Sequence, residues 1–276
     1  MAFAVVIPEM GYLRRIAPKR LKCTMRRNLS VTSGEPNSME KITNETEEFL
    51  ESIYRLQERN GVVKTSKLVK MLKVAPGTVT NTVERLEKRR LVTHETYRGV
   101  KLTEKGRNIA LGVLRKHRLS ERLLTDVLHM EWNRVHEAAC RLEHGITDDV
   151  AENIENVLDE PRTCPHGNPI PTTGGGIFEE HSHSLSELSP GEKGIVTRIT
   201  DEEPGILERI DMFGLRPGTH VRVIENAFPS GPITASIGQS ECEISARTAS
   251  VVRVRVLGGG SHARRRVEKR RAETEK

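Results

Sequence analysis

Aromatic residues make up only 3% of this 276-residue chain. Its cores must therefore be aliphatic, packed from Leu, Ile and Val. Cysteine is almost as scarce. Cys23, Cys140, Cys164 and Cys242 lie far apart, and none forms a C-x-x-C pair. That spacing argues against a disulfide framework or a zinc ribbon, and a reducing cytoplasm is the simpler setting. No apolar run approaches the roughly 18–20 residues that a membrane-spanning helix needs, so no membrane partner is expected. The short apolar opening is cut by Pro8 and Glu9 and lacks the basic-then-apolar order of a signal peptide. No internal repeat is present.

Hydrophobic residues reach 36%, enough for real cores, and the length suits two or three domains. The net charge of +6 is compatible with a polyanionic partner without establishing one. Residues 1–38 read as a disordered leader, or as an over-extended start with Met39 the true one. Helical spacing then begins, with Phe49, Leu50, Ile53 and Leu56 on one face and a stop at Asn60-Gly61. A short helix carrying Leu68, Val69 and Leu72 follows. After a tight connection, Pro76 opens a further helix striped by Val79, Val83 and Leu86. Two short helices so joined form a helix-turn-helix. Residues 91–103 read as two strands around a turn near Arg98-Gly99, a wing.

In such a unit the second helix enters the DNA major groove. Thr78, Thr80 and Asn81 are then placed for base edges or phosphates, Arg85 for phosphate, and Tyr97 and Arg98 for the backbone or minor groove. Three helices are expected next, over 104–129, 132–145 and 147–158. A Pro/Gly/Thr-rich linker follows, and then short β-like runs at 194–199, 220–224, 233–237 and 250–256. The fold class is mainly α with β. The expected division is a leader (1–38), a winged helix-turn-helix (39–111), a helical dimerisation and metal domain (112–165), a linker (166–187), an SH3-like β-barrel (188–257) and a basic disordered tail (258–276).

The chemistry-bearing stretch is Val135-His136-Glu-Ala-Ala-Cys140-Arg-Leu-Glu143-His144. On a helix, His136, Cys140 and His144 stack along one face, and His117 with Glu121 repeats the one-turn spacing on the preceding helix. Imidazole, carboxylate and thiolate are what first-row divalent ions favour. Any single such residue is more often part of an ordinary polar helix face, but two adjacent helices presenting the same spacing point to metal. His181-Ser-His183 reads as a solvated loop.

Several stretches carry a family resemblance: Phe49-Leu-Glu-Ser-Ile-Tyr54, Tyr97-Arg-Gly-Val-Lys-Leu-Thr-Glu-Lys-Gly106, Arg115-Lys-His-Arg-Leu-Ser-Glu-Arg-Leu-Leu124, Val135 to His144, and Gly167-Asn-Pro-Ile-Pro171. Through them residues 42–171 resemble the diphtheria-toxin-repressor family of metal-dependent regulators, with its iron and manganese branches. Residues 188–257 look like that family's SH3-like third domain. The resemblance implies a regulatory metal site on Glu48, Cys140, Glu143 and His144. It also implies an ancillary site on His117, Glu121 and His136, completed by Glu202 or Glu203, with Glu203 preferred. Glu48 departs from the family pattern, which has Met there in the iron branch and Asp in the manganese branch; Glu51 matches a manganese-branch carboxylate and Cys140 the iron branch. The implied function is repression of metal-uptake genes by a homodimer on a palindromic double-stranded DNA operator. Fe(II) is the expected cofactor and Mn(II) the alternative. Competing readings are a metalloenzyme using the His/Cys/Glu site, a helix-turn-helix regulator with a purely structural metal, and a metal-transport accessory protein.

Overall fold

The computed structural model describes residues 42–95, 98–178 and 180–257. The expected leader and tail, and Tyr97 at the wing tip, lie outside the described residues. Residues 42–257 belong to one compact unit.

The first helix, α1 (Asn44–Asn60), is capped by Thr43, whose hydroxyl accepts from Thr46 N–H at 3.3 Å, and it closes on Gly61. It buries Phe49, Leu50, Ile53 and Tyr54. Full burial of each such side chain stabilises by about 1.5–3 kcal/mol. α2 (Thr65–Leu72) and α3 (Pro76–Lys88) follow, joined through Lys73 in the left-handed region. Leu68, Val79, Val83 and Leu86 close the same core. The wing is β1 (Val92–Glu95) paired antiparallel with β2 (Gly99–Leu102). Val100 also bridges Val63, with both backbone hydrogen bonds formed. Gly99 is required there: its φ is +128° and a Cβ would stand 2.2 Å from the Val63 carbonyl oxygen.

Thr103 caps α4 (Glu104–Arg122). α4 joins the domains. Its first half packs Ala110, Leu111 and Leu114 into the core of α1–α3. Its second half is a buried polar row, with His117, Arg118, Ser120 and Glu121. The expected helix to residue 129 ends sooner, at Arg122, and runs on as a π-helical turn, Leu123–Val127. α5 (Val135–Leu142) ends in a 3-10 turn, Glu143–Gly145, and α6 (Asp148–Val157) follows.

The Pro/Gly-rich stretch after α6 is packed where it was expected to be a linker. Cys164, His166, Asn168 and Ile170 are buried. Arg118 of α4 donates to the Pro169 carbonyl, and Arg122 donates to that of Thr163 at 2.7 Å.

The C-terminal part is an antiparallel sheet of six strands in the order β3-β8-β4-β5-β6-β7. These are β3 (His183–Ser184), β4 (Lys193–Ile199), β5 (His220–Asn226), β6 (Ile233–Ile237), β7 (Ser240–Ile244) and β8 (Val252–Leu257). The expected β-like runs became β4, β5, β6 and β8. The short β7 and the helices α7 (Pro204–Met212) and α8 (Ala246–Val251) were not foreseen. Val196, Ile199, Leu207, Val221, Val223, Ala235 and Val254 fill the core, and Trp132 from the helical region packs into it. This is the expected winged helix, helical domain and SH3-like third domain. No described helix is long and apolar enough to cross a membrane.

Candidate metal centre

The polar row on α4 meets four other elements. His117 and Glu121 sit one turn apart and are fully buried. From α5 come His136 and Cys140, also one turn apart. The 3-10 turn contributes Glu143 and His144, and the loop between β4 and α7 contributes Glu202. Glu121 Oε1 lies 3.0 Å from His117 Nε2 and 3.2 Å from His136 Nδ1, and the two nitrogens are 3.1 Å apart. Hydrogen bonds can account for two edges of such a triangle but not for all three. Ligands about 2.1 Å from one ion at right angles stand about 3.0 Å apart, so the triangle fits three donors of a single divalent ion. Glu202 Oε2 stands 3.3 Å from His136 Nδ1, and Glu121 Oε2 is buried with no hydrogen-bond partner.

The second group lies on the other ring nitrogen of His117. Its Nδ1 is 2.5 Å from Glu143 Oε2 and 4.0 Å from Cys140 Sγ. Cys140 Sγ is also 3.8 Å from His136 Nε2. His144 Nε2 reaches Glu143 Oε1 at 3.4 Å, while its Nδ1 meets Glu47 Oε2 on α1 at 2.9 Å. Glu51, one turn further along α1, groups with His117 and Glu143, the donor atoms of all three lying within 4.8 Å of one another.

The electrostatics follow from crowding charge in a buried space. Burial alone would lower His117, but Glu121, Cys140 and Glu143 hold it well above the usual histidine range. Burial likewise opposes charge on His136, and Glu202, Cys140 and Glu121 raise it to about 9. Burial pushes the Cys140 thiol up, yet hydrogen bonds from His117 and His136 bring it down to about 7. Burial and then Glu51 raise Glu143, against the pull of His117 and His144. Glu51 itself is lowered, because Arg55 and His117 outweigh its burial. Arg55 bridges two of these carboxylates, at 2.8 Å to Glu51 and 2.7 Å to Glu202.

Two positions differ from the expected ligand set. Glu48 lies exposed on α1, and the carboxylate at His144 is that of Glu47. One residue is a 100° turn of the helix, and Glu47, Glu51 and Arg55 share the face that meets the centre. Glu203 is exposed and paired with Arg247, whereas the neighbouring Glu202 is buried and turned inward. His117, Glu121, His136, Cys140, Glu143 and His144 come together as a group. His166 was missed: its Nδ1 lies 3.3 Å from Glu121 and 3.5 Å from Glu202. The i, i+4, i+8 spacing of Glu47, Glu51 and Arg55 was a readable signal. For His166, inside a Pro/Gly-rich stretch, there was none.

Away from the centre, Thr78, Thr80, Asn81 and Arg85 are all exposed on α3. The Thr80 hydroxyl donates to the Pro76 carbonyl at 3.2 Å, and Arg85 lies 3.6 Å from Glu45. Arg98 is exposed beside Glu95, at 3.6 Å.

Residues 41–100 match the profile of the iron dependent repressor N-terminal DNA binding domain. Residues 103–172 match the iron dependent repressor metal binding and dimerisation domain, and residues 183–256 the FeoA domain. The iron-dependent repressor IdeR of Mycobacterium tuberculosis is 34% identical over 229 residues, covering 78% of this chain and 99% of the relative. The diphtheria toxin repressor of Corynebacterium jeikeium is 43% identical over 209 residues, 67% of this chain and 87% of the relative. Among solved structures, a manganese-dependent transcriptional repressor in complex with manganese superposes with a TM-score of 0.72 at 29% identity, covering 77% of this chain and all of the other. The IdeR of T. acidophilum superposes with a TM-score of 0.67 at 26% identity, covering 76% and 97%. With the winged helix, the donor cluster and relatives that are repressors and not enzymes, this chain belongs to the iron-dependent repressor family, as a metal-responsive, DNA-binding transcriptional regulator.

Proposed function

We propose that this chain senses iron(II) in the cytoplasm and, when loaded, represses metal-uptake genes as a homodimer on a palindromic operator. The observation that carries the reading is the meeting of α1 with the helical domain at one donor cluster. Glu47 pairs with His144, and Glu51 stands beside His117 and Glu143. α1 belongs to the same core as the recognition helix α3, so whatever fixes α1 against α4 and α5 also fixes α3.

The regulatory set is Cys140, Glu143 and His144 with Glu47 and Glu51 from α1. The ancillary set is His117, Glu121, His136 and Glu202. A bound divalent ion supplies positive charge to a space crowded with carboxylates, and so favours the joined arrangement. Glu51, Glu121, Glu143 and Glu202 are all buried, and a cation facing them offsets the cost of burying their charge. In the joined arrangement the two α3 helices of a dimer can stand about 34 Å apart and meet successive major grooves. Thr78, Thr80 and Asn81 then face bases, while Arg85, Tyr97 and Arg98 hold the backbone.

Domain limits of 39–111, 112–165 and 188–257 follow, with residues 166–187 both connecting and walling the centre. The free thiols of Cys140, Cys164 and Cys242 suit a reducing compartment. The Cys140 thiolate favours iron(II). Manganese(II) is the second reading, favoured by the oxygen donors that α1 adds.

The test is operator binding at fixed salt, under anaerobic conditions, against free iron(II) and manganese(II). Cys140→Ala should keep its helicity and lose metal-dependent binding. A variant that still responds fully to metal defeats the assignment.

A further inference from the structure

His181 and His183, expected from the sequence to lie in a solvated loop, have a fixed geometry at the edge of the third domain. Exposure alternates along this stretch: His181 is exposed, Ser182 buried, His183 half-buried and Ser184 buried. Side chains two apart on an extended strand point the same way, so both imidazoles stand on one side. Their ring centres are 5.1 Å apart, with the ring planes at 86°.

The pair is anchored. β3 runs antiparallel to β8, with His183 opposite Val254 and Ser184 opposite Arg253. Between the two histidines, the Ser182 carbonyl accepts from the Arg253 guanidinium, which also lies 3.4 Å from the Ser182 hydroxyl. Ser184 and Glu187 form a capping box, in which the Ser184 N–H donates to Glu187 Oε2 at 3.3 Å. The same Oε2 is thereby held 3.8 Å from His183 Nδ1.

The spacings are those of donors around one ion. At 3.8 Å His183 and Glu187 are too far apart for a hydrogen bond. Bonds of about 2.0–2.2 Å place two donors of a tetrahedral ion about 3.3–3.6 Å apart, so this pair has only to close by a few tenths of an ångström. An imidazole bound at such a length has its ring centre about 3.2 Å from the ion, and two of them at a tetrahedral angle stand about 5.2 Å apart. The His183 and Glu187 side chains are 42% and 55% exposed, which leaves the ion a way in and a place for water.

We infer that His181, His183 and Glu187 form a surface binding site for a divalent ion of the zinc(II) class, with water as the fourth ligand. Two imidazoles and one carboxylate with an open position are a donor set of such an ion, and imidazole favours zinc(II) over manganese(II). The site shares no residue with the centre on α4 and α5, and it stands or falls independently of the regulatory reading.

The test uses the full chain. Zinc(II) titrated against a chromophoric chelator should show one more bound ion in the unaltered chain than in the double variant His181→Gln/His183→Gln. Equal stoichiometries would mean that the two rings only pack together, and would overturn the site. Independently, diethylpyrocarbonate labelling mapped by peptide mass spectrometry should show zinc(II) slowing the modification of His181 and His183 while that of the exposed His220 is unchanged. Glu187→Gln keeps the capping box and should lose most of that protection. No protection in the unaltered chain, or full protection in Glu187→Gln, overturns the three-residue site.

Discussion

Arg55 is the cation that α1 inserts between two carboxylates of the centre. Its guanidinium lies 2.8 Å from Glu51 and 2.7 Å from Glu202, with those carboxylate side chains only 8% and 6% exposed and its own 21%. Arg55→Met keeps the aliphatic stem and removes the charge. In the metal-free protein this leaves two buried carboxylates without their nearest cation, which costs about 3–5 kcal/mol. At about 2–4 °C per kcal/mol for a chain of this size, the melting temperature should fall by about 6–20 °C. A divalent ion held by Glu202 and His136 neutralises one of the orphaned charges, so in the loaded protein the loss should shrink to about half or less. Differential scanning calorimetry of both proteins, with and without metal, measures the four values. An equal loss in both states, or a metal-free loss below about 1 kcal/mol, would refute the idea that Arg55 and the ion share the same carboxylates.

Two further outcomes follow from the same geometry. Gly167→Ala forces a Cβ against the Thr197 carbonyl at a positive φ. It should cost about 1–3 kcal/mol; an unchanged melting temperature would contradict this. Cys140 is exposed and its thiol lies near 7. In metal-free protein its alkylation rate should rise through a midpoint near pH 7, because the thiol is inert below it and thiolate above it. Bound metal should suppress the reaction, and peptide mass spectrometry would show whether the modified residue is Cys140.

Much of the fold was legible because local rules and packing agreed. Phe49, Leu50 and Ile53 on α1, the Pro76 start of α3 and the Thr103 cap of α4 each announce the element they form. The third domain was harder. α8 has only six residues, too few for periodicity to register, and β7 alternates mostly exposed polar side chains. α7 does carry Ile206, Leu207 and Ile210 at helical spacing, but it is embedded among β-like runs that set the expectation.

At the centre, motif spacing picked out six side chains on α4, α5 and the 3-10 turn that the fold brings together, because there local geometry decides which side chains share a face. It failed where tertiary placement decides. Whether Glu47 or Glu48 reaches His144 depends on the rotation of α1 about its axis. Whether Glu202 or Glu203 turns inward depends on a loop held by Asn168. His166 entered from a stretch whose composition said solvent. Its burial comes from hydrogen bonds to Ile199 and Trp132, which no local pattern encodes.

If α1 and the helical domain share an ion only in the arrangement that fits DNA, metal and operator must each strengthen the binding of the other by one common factor. Iron(II) affinity measured anaerobically for the free protein, and again with saturating operator at the same salt, tests this directly. The affinity should rise with operator present by the same factor by which iron(II) tightens operator binding, on the order of 5–150-fold for a coupling of typical strength. Identical iron(II) affinities with and without operator would show that the centre and the recognition helix are not coupled.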